Sequence, residues 1–422
     1  MKVVVAAYGT RGDVEPSFAV GRELLRRGHE VCMAVPPDLM GLGESVGLDP
    51  TPYGPELETM LGAHRNFWTF FFRNFWRLRE VKRLSDEAWE PRLQCWVEMS
   101  RTLTSLADGA DLLFTGPVFE EVAANVAEYH DIPLATLHYF PLRANGQLLP
   151  VLPPAVGRSV MTVHEWMLWR GTRKVENEQR RELGLPNAAT PSPRRVADRG
   201  SLEIQAYDEV CFPGLAAEWR KWGGRRPFVG ALTLEMTTVA DQEVASWIAA
   251  GKPPIFFGFG SMPVESATET LATINSACAE LGERALVCSA GSEFDQIPES
   301  DDIKIVPTAN FAEVFPMCRA VVHHGGAGTT AAGLRAGVPQ LILSTDLDQT
   351  LWGARVKRLG VGAGRRFSTT TRDSLVADLS TVLTDGCATK ARESATRMTT
   401  PASSVTAAAD HIETFARSGT VG

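Results

Sequence analysis

One pattern constrains this chain more than any other. A short, unbroken apolar run empties into a glycine-rich turn and then a helix, and the pattern starts twice. Residues 2–8 read "KVVVAAY", continuous rather than alternating, as in a parallel strand buried on both faces. "GTRGDVEP" (9–16) supplies a turn. "SFAVGRELLRRGHE" (17–30) carries apolar residues at helical spacing and stops near Gly28, and "VCMAVP" (31–36) is the next strand. Similar runs at 110–116 and 133–140 extend this into a doubly wound α/β unit. Residues 143–200 hold many prolines and arginines, with helix expected over 160–182, and 201–208 and 225–232 read as strands. The pattern then restarts at "PPIFFGFGSM" (253–262). It continues through a helix (266–281), strands at 284–291, 303–307 and 319–326, a helix (327–336), a strand (339–344) and a helix (350–358). Such a restart predicts two Rossmann-like domains with a boundary near 233–240. Ligands should bind at the carboxyl ends of the strands, in the cleft between the domains.

The bulk numbers narrow the function. The chain has 422 residues, 44% hydrophobic and 22% charged, a soluble globular composition with room for two or three domains. A formal net charge of −8 argues against a general nucleic-acid binder, which needs a basic surplus. The seven cysteines are odd in number, widely spaced and without a CxxC, a pattern of reduced thiols rather than a disulfide frame or zinc site. The first apolar run is too short for a signal peptide, and none approaches the ~18–20 residues that span a bilayer. A cytoplasmic protein is expected.

Four stretches carry candidate chemistry. "VVHHGGAGTT" (321–330) opens a helix with three glycines. Free N–H groups and the helix dipole there favour a diphosphate, and Thr329 and Thr330 can add donors. A structural turn and a metal site are the alternatives. The metal reading is weakened because adjacent histidines on a strand point to opposite faces. "GFGSM" (258–262) is a second strand–turn–helix junction where Ser261 could touch phosphate, or simply a tight turn. It is no Walker loop, and no GxGxxG stands at the N-terminal turn. "STDLDQTLW" (344–352) places Asp348 and Gln349 where they could hold sugar hydroxyls, with Asp346 as sugar contact or helix cap. Asp13 could take a proton from a hydroxyl, or could cap a helix or pair with Arg11.

In this order and spacing, "GTRGDVEP", "GFGSM", "HHGGAGTT" and "DLDQTLWGARV" resemble family 1 of the inverting glycosyltransferases, whose fold is the two-Rossmann GT-B. The resemblance covers nearly the whole chain. It is narrower toward antibiotic, lipid and sterol glycosyltransferases, and most of all toward mycobacterial enzymes that decorate glycopeptidolipids. It implies an N-terminal acceptor domain (1–235), a C-terminal nucleotide-sugar domain (236–400), and a helix at 402–417 that returns to the first. It implies Asp13 as general base, with Ser261, His324, Gly326, Gly328 and Thr329 on the donor diphosphate and Asp348 and Gln349 on its sugar; Gly260 and Asn310 are expected donor contacts beside them, and His323 is a further donor contact or a satisfied strand-end histidine. It implies no cofactor and no metal, only a dTDP- or UDP-sugar co-substrate. Two positions depart from the plant pattern. No Trp stands in "VPTANFAEVF" (306–315) to stack on the base, and Trp352 replaces an Asn, which suits a 6-deoxy sugar such as rhamnose or 6-deoxytalose. A nucleotide-sugar 2-epimerase, or transfer to a sterol or antibiotic aglycone, would keep the same architecture.

On the acceptor side, "HRNFWTFFFRNFWRLREVKR" (64–83) carries seven aromatics between Phe67 and Trp76, with six basic residues around them. Such a run suits a lipopeptide acceptor or peripheral contact with the inner membrane face, or else a buried core. Phe67, Phe71 and Trp76, with His138 and Phe140, are the expected acceptor contacts.

Overall fold

A computed structural model of the chain describes residues 1–57, 77–149, 152–234, 241–259, 267–289 and 302–418. Two compact units emerge. One holds Met1–Leu234 and the chain from Pro401 onward, and the other Glu235–Thr400.

The first unit is built on a six-stranded parallel sheet of β1 (Lys2–Ala6), β2 (Glu30–Val35), β3 (Pro50–Pro52), β4 (Leu112–Thr115), β5 (Leu134–His138) and β6 (Leu202–Gln205), in the order β3-β2-β1-β4-β5-β6. Val3, Val4, Val5, Leu112, Leu113 and Phe114 are fully buried, which explains why these strands read as unbroken apolar runs. Helices α1 (Arg11–Arg26), α2 (Leu78–Leu106), α3 (Glu120–His130) and α4 (Pro154–Glu182) surround the sheet. Trp96, Met99 and Leu103 of α2 form one buried helical face, and the Trp96 indole donates to Gln179 Oε1 of α4 at 2.8 Å. The last helix, Pro401–Ser418, belongs to this unit. It buries Ser404, Ala408, Ile412 and Phe415, and Asp410 and Glu413 accept from Arg27 and His29 behind α1.

The second unit repeats the design with β7 (Ile255–Gly258), β8 (Ala285–Cys288), β9 (Ile303–Val306), β10 (Ala320–His323), β11 (Gln340–Ser344) and β12 (Gly362–Arg366). Their order is β12-β11-β10-β7-β8-β9. Counted within each unit, both sheets run 3-2-1-4-5-6, the doubly wound order. Among its helices are α5 (Ala327–Ala336) and α6 (Leu347–Leu359).

The structure alters several sequence expectations. Helix α1 begins at Arg11, not Ser17, because Thr10 and Asp13 form a capping box that draws "RGDVEP" into the helix. Helix α4 begins at Pro154, a favoured first-turn residue, rather than at 160. The strand expected at 225–232 contributes one isolated bridge, Gln205 to Phe228. Pro227 in its middle has no N–H to extend a ladder. The short strand β3, the exposed-edge strand β12 and helix α2 had no clear signal. No helix among the described residues is long and apolar enough to cross a membrane.

Candidate active site

In the first unit, Asp13 stands in the opening turn of α1, just past β1, the strand at which the sheet order reverses. Its Oδ2 accepts from the Thr10 amide at 2.7 Å and the Thr10 hydroxyl at 2.8 Å, so it caps its own helix. Its Oδ1 accepts from the Tyr139 phenol at 2.5 Å. Arg11, the alternative ion-pair partner, donates instead to Glu15 at 3.0 Å. Gly9 makes room for the carboxylate. At φ +126° it occupies backbone space open to glycine, and a Cβ there would lie 2.5 Å from Asp13 Oδ2. Tyr139 follows the carboxyl end of β5. Sequence reasoning named its neighbours His138 and Phe140 as acceptor contacts but did not place Tyr139 against Asp13. The aromatic pair ending a buried strand was the available signal. Phe140 is half-buried, its ring 5.8 Å from Tyr139.

His138 does not present itself to a ligand. It is fully buried, and its Nε2 lies 3.1 Å from Glu120 Oε1. Burial, then the nearby Arg143 guanidinium, push its pKa below the usual value, and Glu120 only partly offsets them. The ring belongs to a buried polar network in which Arg143 bridges Glu120 and Glu203, and Glu203 also accepts from Arg226 at 2.9 Å. Burial alone would raise Glu120, but Arg143 and His138 outweigh it and hold the carboxyl at about 2. The network fixes the chain after β5. Phe67, Phe71 and Trp76 lie outside the described residues.

In the second unit, β11, β10 and β7 are neighbours, so three of the quoted turns leave one stretch of sheet side by side. The order reverses between β10 and β7, the place where open α/β sheets bind ligands. His323 and His324 divide the work. His323 ends β10 fully buried, its Nε2 2.9 Å from Gln340 Oε1, and its Nδ1 accepts from the Gly325 amide at 3.1 Å. Both ring nitrogens are used, so the expected donor contact from His323 gives way to a turn-shaping role. Gly325 needs that support: φ is +98°, and a Cβ would lie 2.6 Å from Ile342 Cγ2. Burial, with the adjacent His324, brings the His323 pKa down to about 3.

His324 leaves the strand and lies over the start of α5. A Cβ on Gly326, the residue preceding that helix, would come 2.6 Å from His324 Nε2. Its Nδ1 is buried and has no hydrogen-bond partner among the described residues. Burial lowers its pKa to about 4, with the Gly258 backbone acting the other way. The ring is therefore neutral near pH 7 and carries one N–H. Gly328 is exposed and Thr329 half-buried in the first turn of α5, while Thr330 donates back to the Gly326 carbonyl at 2.8 Å. This helix start, with its free amides, suits an anion.

Beside it, α6 begins with a capping box between Asp346 and Gln349. Gln349 Oε1 accepts from the Thr345 amide at 2.8 Å, the Thr345 hydroxyl at 3.1 Å and the Asp346 amide at 3.2 Å. The oxygen serves the turn, and the amide nitrogen is the group left for a ligand. Asp348, half-buried, shares this first turn. Asn310 accepts from the Ala312 amide at 3.1 Å and caps the short helix after β9. Gly260 and Ser261 lie outside the described residues. Among the described residues no three His, Cys, Asp or Glu side chains group as metal ligands would.

Comparison with known proteins agrees with this fold. Residues 3–94 match the glycosyltransferase family 28 N-terminal domain, where the motifs above pointed to family 1. Residues 268–411 match the C-terminal domain of erythromycin biosynthesis protein CIII-like proteins. An uncharacterized glycosyltransferase of Mycobacterium tuberculosis is 58% identical over 99% of both chains. A sterol 3-beta-glucosyltransferase of Arabidopsis thaliana is 27% identical over 86% of this chain and 57% of its own length. Three solved structures share the fold. The calicheamicin glycosyltransferase has a TM-score of 0.71 at 17% identity, covering 98% of both chains. Glycosyltransferase VinC in complex with dTDP has 0.68 at 18%, covering 100% of both. The spinosyn rhamnosyltransferase has 0.66 at 18%, covering 97% of this chain and 100% of its own. The chain belongs to the GT-B glycosyltransferases, with a family 28 N-terminal domain and an EryCIII-like C-terminal domain.

Proposed function

We propose that the protein moves a 6-deoxyhexose, rhamnose or 6-deoxytalose, from a dTDP- or UDP-sugar to a hydroxyl of a lipopeptide acceptor, inverting the anomeric centre without a metal. The observation that carries the donor half is His324, held over the start of α5 by the absence of a side chain at Gly326. A neutral imidazole N–H and the free amides of that helix stabilise the charge that develops on the departing diphosphate. Asp348 and the Gln349 amide hold the sugar. Asp13 accepts the acceptor proton as the hydroxyl attacks from the opposite face. The dTDP bound to VinC and the sugar named for the spinosyn enzyme favour a dTDP-deoxysugar. The lipopeptide rests on the apolar, basic run at 64–83, through which the first unit would also meet the inner membrane face of the cytoplasm. A sterol or antibiotic aglycone is the competing acceptor.

The test is a donor and acceptor screen read by mass, using lipopeptide cores with and without sugars. Asp13→Ala should abolish transfer and leave donor binding intact, and turnover near wild type would remove Asp13 as the base. His324→Ala should weaken nucleotide diphosphate binding by calorimetry. Incubation with donor alone should give at most slow hydrolysis. Conversion to an epimeric sugar nucleotide would assign the 2-epimerase reaction instead.

A further inference from the structure

Helix α4 leads two lives. Its second half is anchored: Thr172, Val175, Glu176, Gln179 and Arg180 are buried. Its first half stands largely uncovered. Val156, Val160, Val163 and Met167 recur at intervals of four, three and four, which places them on one side of the helix. They are between 46% and 61% exposed, and Trp166 and Leu168 beside them are 49% and 44% exposed. The stripe spans about 16 Å at 1.5 Å per residue.

The exposed charges that follow it have one sign. Arg170, Arg173 and Lys174 follow directly and are exposed. Arg170 lies over the Trp166 ring at 5.3 Å and Arg173 over Trp169 at 5.1 Å, and among the described residues none of the three makes an ion pair. The one acid in residues 154–174 is Glu165, half-buried and accepting from the Ala144 amide at 2.8 Å. A chain of net charge −8 has therefore gathered cations, unpaired among the described residues, at the end of an exposed apolar face.

We propose that this face docks the protein on an anionic phospholipid bilayer. The valines and Met167 enter the acyl boundary, Trp166 sits at the headgroup level, and Arg170, Arg173 and Lys174 meet lipid phosphates. A protein partner fits less well, because protein interface cores are depleted in lysine and a cation cluster needs matching acids. Docking through this face uses none of the residues of the aromatic run at 64–83 and does not depend on the transfer reaction.

The full-length protein is mixed with vesicles of phosphatidylcholine alone or with phosphatidylglycerol, and binding is read by co-sedimentation, with dTDP affinity measured in parallel. Binding to the phosphatidylglycerol vesicles is expected, reversed by salt. Val163→Asp and Met167→Asp should abolish it, and Arg170→Ser and Lys174→Ser should each weaken it about fivefold. All four should keep wild-type dTDP affinity. Equal binding to neutral vesicles, no binding at all, or variants that bind like wild type would overturn the proposal. So would an oligomer that Val163→Asp converts to monomer, which would assign the face to a second copy. Loss of dTDP affinity in the wild-type protein would instead count against the donor site and leave docking standing.

Discussion

Gly326→Ala is a one-carbon probe of the proposed donor site. Gly326 has φ −58° and ψ 144°, which alanine adopts freely, so the substitution brings no backbone strain. What it brings is a methyl 2.6 Å from His324 Nε2, and ordinary contact begins near 3.4 Å, so the ring must withdraw by about 0.8 Å. Loss of glycine at the helix cap costs at most about 1 kcal/mol of stability. A hydrogen bond to a charged group contributes about 1.5–3 kcal/mol. If the displaced imidazole no longer reaches the diphosphate, the Kd for dTDP or UDP should rise about 10- to 150-fold. Calorimetry reads the affinity and thermal melting confirms the fold. Adding Gly326→Ala to His324→Ala should cost little more than His324→Ala alone, since both remove one contact. A folded Gly326→Ala protein that binds dTDP as wild type does would refute the reasoning. Gly328→Ala is the contrast. No atom lies within 4 Å of its would-be Cβ, so it should stabilise α5 by up to about 1 kcal/mol, and any affinity it loses measures how near the ligand approaches the backbone.

Three further outcomes are expected. Tyr139→Phe removes the donor to Asp13 Oδ1 and should lower kcat about tenfold or more while leaving dTDP affinity unchanged in calorimetry. Arg143→Met leaves Glu120 and Glu203 buried without their shared cation and should cost about 3–5 kcal/mol in denaturant unfolding. The folded-state pKa values of His323 and His324, about 3 and 4, lie below the unfolded value near 6.5. Unfolding therefore takes up protons: their contribution to stability is full above about pH 6.5 and is lost as pH falls toward 4 and then 3, by up to about 1.4 kcal/mol per pH unit per ring. His323→Gln should flatten that acid slope in denaturation curves collected from pH 7 downward.

Much of the architecture was legible because parallel strands buried on both faces leave unbroken apolar runs, and two sets of them with glycine exits imply two doubly wound units. Helix α5 was placed at its observed ends, since glycine marks both its start and its stop. The start of α1 was not legible in the same way. Two glycines and a proline in "GTRGDVEP" look like a loop, and only the reciprocal bonds of Thr10 and Asp13 show that the helix has already begun. Within the site, glycine turns and polar pairs could be found by motif, but what fixes the division between His323 and His324 could not. It depends on Gln340, seventeen positions away in sequence and brought within reach of His323 only once β10 and β11 pair, with Gln340 opposite Val321. The Tyr139 contact to Asp13 likewise spans 126 positions and exists only in the folded sheet.

The return of the last helix to the first unit also bears on how the chain is made. A ribosome releases residues 1–234 long before Pro401, yet the surface behind α1 waits for Ala408, Ile412 and Phe415. The second unit, contiguous in sequence, can be completed while its neighbour is still open on one side. The unit that begins synthesis first is thus the one that finishes folding last, and a chaperone or a stalled ribosome would meet an exposed apolar face on α1 rather than on the second unit.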